Sequence, residues 1–151
     1  MAEDMIKVEG LENVKDAFEN LDRKVQRKVA RKALRAGCKL LQKEIQMAAP
    51  VGKTGELKKA VKVRAGRASA RGNVAMVVGV GKKWFTGDTF YAGFIEFGHR
   101  VGSRKLGDKR TMVAAKDFIK APFEQNKVAA LNDVTDTMIE EIDKAAREFK
   151  Q

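Results

Sequence analysis

Three places in this chain carry residue types that could do chemistry. The first is VGKTG at 51–55, which ends as a phosphate-binding loop ends, with backbone N–H groups for phosphate oxygens, a lysine for the terminal phosphates and a threonine for magnesium. The pattern needs a glycine where Met47 stands, and it must leave a strand and enter a helix, whereas here it leaves a helical pattern and enters a strand pattern. Lys53 therefore reads as a surface charge and Thr54 as a turn residue bonded to its own backbone. The second is His99, the only histidine. To support a nucleophile it would have to meet Cys38, Ser69 or Ser103, and nothing in the spacing brings them together. One histidine and one cysteine exclude a histidine-rich metal centre, a cysteine-based zinc site and an internal disulfide. Cys38 lies in an apolar-spaced helical segment and reads as a small buried hydrophobe. The third is Glu96, between Ile95 and Phe97. A general acid would want a second carboxylate close by in sequence, and there is none. A buried carboxylate needs a cation or several N–H donors, and held that way it fixes the geometry of its turn. The expectation is a protein that is not an enzyme and has no cofactor or metal site.

The elements that must position these residues can be read from spacing. Leu11, Val14, Phe18, Leu21 and Val25 form one helical stripe, continued by Val29, Ala33, Ala36 and Leu40 and widened by Leu34, Leu41 and Ile45. One long helix or two abutting ones is predicted over 11–47, with weak points at 21–23 and at Gly37. Its other face holds Arg23, Lys24, Arg27, Lys28, Arg31, Lys32 and Arg35. Pro50 stops it near Ala49, and Gly52 and Gly55 permit a tight turn. Alternation predicts strands at 60–65 and 73–80, joined by a basic loop at 66–72, and a short edge strand at 5–8. Residues 82–88, KKWFTGD, and 100–116 read as irregular, the latter rich in bases. Pro122 suits a first helical turn, and Leu131, Val134, Met138, Ile142, Ala145 and Phe149 mark a final helix. The fold class is α+β: two long amphipathic helices packed on a small, mainly antiparallel β-sheet.

At 151 residues and 44% hydrophobic, the chain suits a single domain spanning 1–151, with basic loops at about 66–73 and 99–116. No apolar run approaches the ~20 residues of a membrane span, and the acidic start MAEDMIKVEG is unlike a secretory leader. The net charge of +11 is unevenly spread: residues 1–22 carry −5, residues 23–116 carry +19 and residues 117–151 carry −3. A basic middle between acidic ends fits either a nucleic-acid surface or neighbouring subunits whose opposite faces attract. A nuclease would need clustered acids in the basic region, which holds only five, widely scattered.

Three further signatures stand in order: AAPVGKTGEL at 48–57, YAGFIEFG at 91–98 and DFIKAPFEQN at 117–126. Together they resemble the tail-completion proteins of long-tailed bacteriophages of the Hong Kong ninety-seven type, the head-tail joining or neck components, over residues 21–146. In that family a helix runs into A-P-x-x-T-G-x-L, then Y-A-x-F-x-E-F-G, then a short phenylalanine motif before the last helix. His99 stands where the family more often has threonine. The resemblance implies a structural virion protein of the neck, added late in the host cytoplasm, that completes the head-proximal end of the tail. It implies a homo-oligomeric ring, sixfold like the tail tube, meeting tail-tube or tail-terminator proteins and head-connector proteins, with no membrane partner. The residues carried over as structural are Pro50, Gly55, Leu57, Tyr91, Phe94, Glu96, Phe97, Gly98 and Phe118, with Tyr91, Phe94 and Phe97 expected to be buried. Candidate contacts with partners or DNA are Trp84, Phe85, Arg100, Arg104, Lys105 and Arg110. The alternative is a non-specific nucleic-acid-binding protein using the basic central region; a helix-turn-helix spacing, zinc ligands and a ribonucleoprotein aromatic motif are all missing.

Overall fold

The computed structural model describes residues 11–52, 55–67, 73–80, 89–102 and 111–148. The expected strand at 5–8 and the candidate contacts Trp84, Phe85, Arg104, Lys105 and Arg110 lie outside these residues, as do Lys53 and Thr54. In chain order the elements are α1 (Leu11–Glu19), α2 (Arg23–Ala48), α3 (Glu56–Ala60), β1 (Val61–Ala65), β2 (Met76–Val80), α4 (Ala92–Phe97), β3 (His99–Val101), β4 (Thr111–Val113) and α5 (Lys120–Glu148). The fold is α+β, with two long helices and small antiparallel sheets. The strands form two separate two-stranded sheets, β1–β2 and β3–β4, where one small sheet was expected. Among the described residues no helix is long and apolar enough to cross a membrane.

The chain resolves into two compact units: 1–41, 63–77 and 126–151 in unit 1, and 42–62 and 78–125 in unit 2. Unit 1 is built on the predicted stripes. Val14, Val29 and Ile142 form its buried centre, with Phe18, Leu21, Val25 and Met138 packed against them. The first stripe breaks at residues 20–22, one of its two weak points. There the Leu21 N–H donates to the Phe18 carbonyl (3.1 Å), and the Gln26 side-chain amide donates to the carbonyls of Phe18 (3.0 Å) and Glu19 (3.3 Å). Gln26 so satisfies carbonyls that the end of α1 leaves without helical partners.

Gly37, the other expected weak point, does not interrupt α2. It is buried, and a Cβ there would stand 2.4 Å from the Ala130 carbonyl oxygen and 2.6 Å from a Val134 methyl. The missing side chain lets α5 approach closely, which offsets the ~0.5–1 kcal/mol that glycine costs within a helix.

Unit 2 centres on Ile45, Ala49, Leu57, Val61, Val80, Ala92 and Phe118. Residues 99–116, expected to be a loop, contain the β3–β4 ladder, with His99 opposite Val113, Arg100 opposite Met112 and Val101 opposite Thr111. Three-residue strands are too short to show a readable alternation. What fixes this pairing is a close approach at Gly98: its φ is 72°, and a Cβ there would lie 2.6 Å from the Val113 carbonyl oxygen.

Candidate functional site

The three sequence signatures meet in the core of unit 2. The first supplies Ala49 and Leu57, the second Ala92 with Tyr91 and Ile95 beside it, and the third Phe118 with Ile119 beside it. Pro50 follows the last bonded turn of α2, in which the Ala49 N–H donates to the Ile45 carbonyl at 2.9 Å. Gly55 takes a left-handed φ of 63° and opens α3. A helix therefore follows this turn after all, a single turn before β1, but a helix also precedes it, so the strand-to-helix passage of a phosphate loop is still absent. Gln42 and Gln46 donate from α2 to the Val61 carbonyl at 2.9 and 3.0 Å, fixing the start of β1. The Tyr91 hydroxyl lies 3.6 Å from where a Cβ on Gly52 would stand, so the first two signatures also touch through their turns.

Glu96 is 4% exposed. Its carboxylate partners are two backbone donors: the Ile119 N–H to Oε2 at 2.9 Å and the Lys120 N–H to Oε1 at 3.0 Å. Of the two possible partners for a buried carboxylate, N–H donors are the ones used. The reason lies in α5, whose first turn contains no acid. A helix start leaves N–H groups without partners, and a carboxylate there meets both those donors and the positive end of the helix dipole. The Ala121 N–H is taken by the Asp117 carbonyl at 2.9 Å, and Pro122 has no N–H. Every donor from 119 to 122 is thus accounted for, and Glu96 serves as a cap supplied from a distant part of the sequence. Asp117, just before it, has a φ of 43°, a left-handed conformation that aspartate tolerates better than most residues. The Lys116 N–H to Ile95 carbonyl bond, 2.8 Å, ties the same two segments a second time.

The expectation that Tyr91, Phe94 and Phe97 are largely buried is corrected. Tyr91 is half-buried, Phe94 is 40% exposed and Phe97 is 75% exposed. The segment is helical, so residues three and four apart share a face. The inner face is Ala92, Ile95 and Glu96, which the Glu96 clamp pins against α5. Phe94 and Phe97 fall on the outer face, following Phe90, which is 49% exposed. Phe90 stands edge-on to Tyr91 (5.8 Å) and to Phe94 (6.4 Å), and the Phe94 ring lies 5.2 Å from the His99 imidazole. His99 Nδ1 is 3.4 Å from the Phe94 carbonyl oxygen, so the histidine adjoins the aromatic ridge; Ser69 and Ser103 lie outside the described residues. The chain then enters β3–β4, where Val101, Met112 and Val113 are also exposed. Arg100 is exposed beside them.

The remaining chemistry is sparse. Cys38, expected to be a small buried hydrophobe, is half-buried, and that burial raises its thiol above the ordinary value. No group of side chains suited to a metal ion occurs among the described residues. An open cleft of about 550 Å³ in unit 1, lined by Phe18, Leu34 and Val74 with Arg23 and Arg27, has no carboxylate, thiol or imidazole on its described lining.

A family model described as "Bacteriophage HK97-gp10, putative tail-component" matches residues 12–98. The match runs from α1 through α4 and takes in the first two signatures; the third lies beyond it. No curated protein and no solved structure gives a significant match. With more than half of its length matched, the chain belongs to the HK97-gp10-like family of bacteriophage tail components.

Proposed function

We propose that this tail component completes the head-proximal end of the phage tail and joins it to the filled head, as one subunit of a ring with the sixfold symmetry of the tail tube. Its neighbours on this reading are its own copies, the tail-tube or tail-terminator proteins and the head-connector proteins. It is added in the host cytoplasm and stays in the virion. The observation that carries the reading is the outer face of α4, where Phe94 and Phe97, with Phe90 in the turn just before them, are exposed on a helix whose inner face is clamped. Exposed aromatic groups on a rigid support are what interface anchors require, since each ring removed from water contributes about 1.5–3 kcal/mol and loses little conformational freedom. A fitting piece of this kind works by surface burial and needs no catalytic residue.

The test is a phage lacking the gene, examined by electron microscopy of the lysate. Filled heads and finished tails should accumulate side by side, unjoined. Joined, infectious particles at parental yield would overturn the neck assignment, and tails that fail to form at all would move the protein to an earlier step.

A further inference from the structure

The outward face of α2 carries one kind of charge. Every exposed position from Arg23 to Lys39 is lysine or arginine, eight in all, over about 24 Å of helix at 1.5 Å per residue. Among the described residues only Lys32 has an ion-pair partner on this face, Glu141 at 2.6 Å. The arrangement works against the helix itself. Like charges recur four residues apart, as at Arg27, Arg31 and Arg35, and each such pair is unfavourable. The first turn contains no acid and begins with Arg23 and Lys24, at the positive end of the dipole. A partner that offsets this must be anionic along the whole length. The acids exposed on α5 in the same unit (Asp136, Glu140, Asp143 and Glu148) are interrupted by exposed Lys144 and Arg147, so a second copy's α5 is a poor match. Duplex DNA presents one negative charge per ~1.7 Å of axis, or roughly 14 over this span.

We infer that the face of α2 from Arg23 to Lys39 docks on the phosphate backbone of duplex DNA without reading its sequence. Arginine forks grip phosphate oxygens in pairs and lysines act as point charges. The amides that read adenine are missing from the exposed positions, and the one glutamine nearby, Gln26, is committed to the end of α1. DNA binding by this face does not depend on the neck assignment. A deletion phage that assembled normally would sink that assignment and leave DNA binding by the purified chain untouched.

The experiment is fluorescence anisotropy of the full chain with a labelled 30-base-pair duplex of arbitrary sequence, from about 50 to 200 mM salt. The parent should bind two unrelated duplexes alike, and the affinity should fall by roughly a hundredfold across that range, as neutralising about four phosphates requires. Arg27→Gln/Arg31→Gln/Arg35→Gln should make the log–log salt slope shallower by roughly 2.7, at about 0.9 for each phosphate no longer neutralised, with far-UV circular dichroism unchanged. Lys58→Gln/Lys59→Gln/Lys62→Gln removes three exposed charges elsewhere and should leave the slope at the parental value. The inference is overturned if the parent fails to bind at the lowest salt, if both triple variants shift the slope equally, or if one duplex is strongly preferred. It is also overturned if the α2 variant keeps its DNA affinity and loses self-association in sedimentation, which would assign the face to a second copy.

Discussion

Glu96 in unit 2 and the cations of α2 in unit 1 are charged groups in opposite circumstances. Glu96 is buried, accepts two backbone N–H bonds and occupies the most recognisable signature in the sequence. The α2 cations belong to no motif, and all but Lys32 lack an ion-pair partner among the described residues. Phe118 and Phe97 repeat the contrast in apolar form, the first 2% exposed and the second 75%. The signature residues Glu96 and Phe118 are consumed by the fold, whereas the α2 cations, and the Phe94 and Phe97 rings of the same signature as Glu96, are left exposed. A substitution in the first class should therefore act on stability, and one in the second on assembly or binding.

The largest effect on stability should come from Phe118→Ala. Emptying a fully buried aromatic site costs about 3–5 kcal/mol, a large part of the ~5–15 kcal/mol that holds a typical domain. Chemical denaturation should show it directly; a loss below about 1 kcal/mol would mean that the three signatures do not share one core. Glu96→Gln comes next. The amide can accept one of the two N–H bonds but turns a second donor toward the other, and losing a charge-assisted bond in a buried place costs about 1.5–3 kcal/mol. Thermal melting should fall accordingly.

How much of this was legible before the structure follows from the same contrast. The stripes of α1, α2 and α5 were readable because apolar spacing of three and four is dictated by one covered face, and Pro50 and Pro122 marked ends for steric reasons. The outward turn of Phe94 and Phe97 was not readable. Both faces of α4 are apolar enough to be buried, and what decides between them is the Glu96 bond to residues 23 and 24 positions away. One signal was present, since a helix pairs Ala92 with Glu96 and separates both from Phe94 and Phe97. The β3–β4 ladder escaped because its pairing rests on a close backbone approach at Gly98 rather than on a side-chain pattern.

A smaller effect sharpens the charged side of the comparison. The hydrogen bond from Lys32 holds the Glu141 carboxyl below its ordinary range, with Lys144 and Lys28 adding to it. A carboxylate whose folded pKa is lowered adds stability that is fully present above its unfolded value and is lost as the pH falls through the folded one. Glu141→Gln should therefore cost about 0.2–1 kcal/mol near neutral pH, as partly exposed pairs do, and nothing once the pH lies below the folded value. Denaturation curves at the two pH values decide this; an equal cost at both would mean the pair contributes by packing alone. Comparably small should be the effect of Phe94→Ser/Phe97→Ser on melting, within about 0.5 kcal/mol per surface site.

That same double variant provides the most direct test of the central claim, that the buried signatures hold the fold and the outer face of α4 does the joining. The measurement is the infectious yield of a phage lacking the gene when it is supplied with the Phe94→Ser/Phe97→Ser chain. The account predicts a chain that melts like the parent and a lysate of filled heads beside finished, unjoined tails. Parental yield from that variant would contradict it.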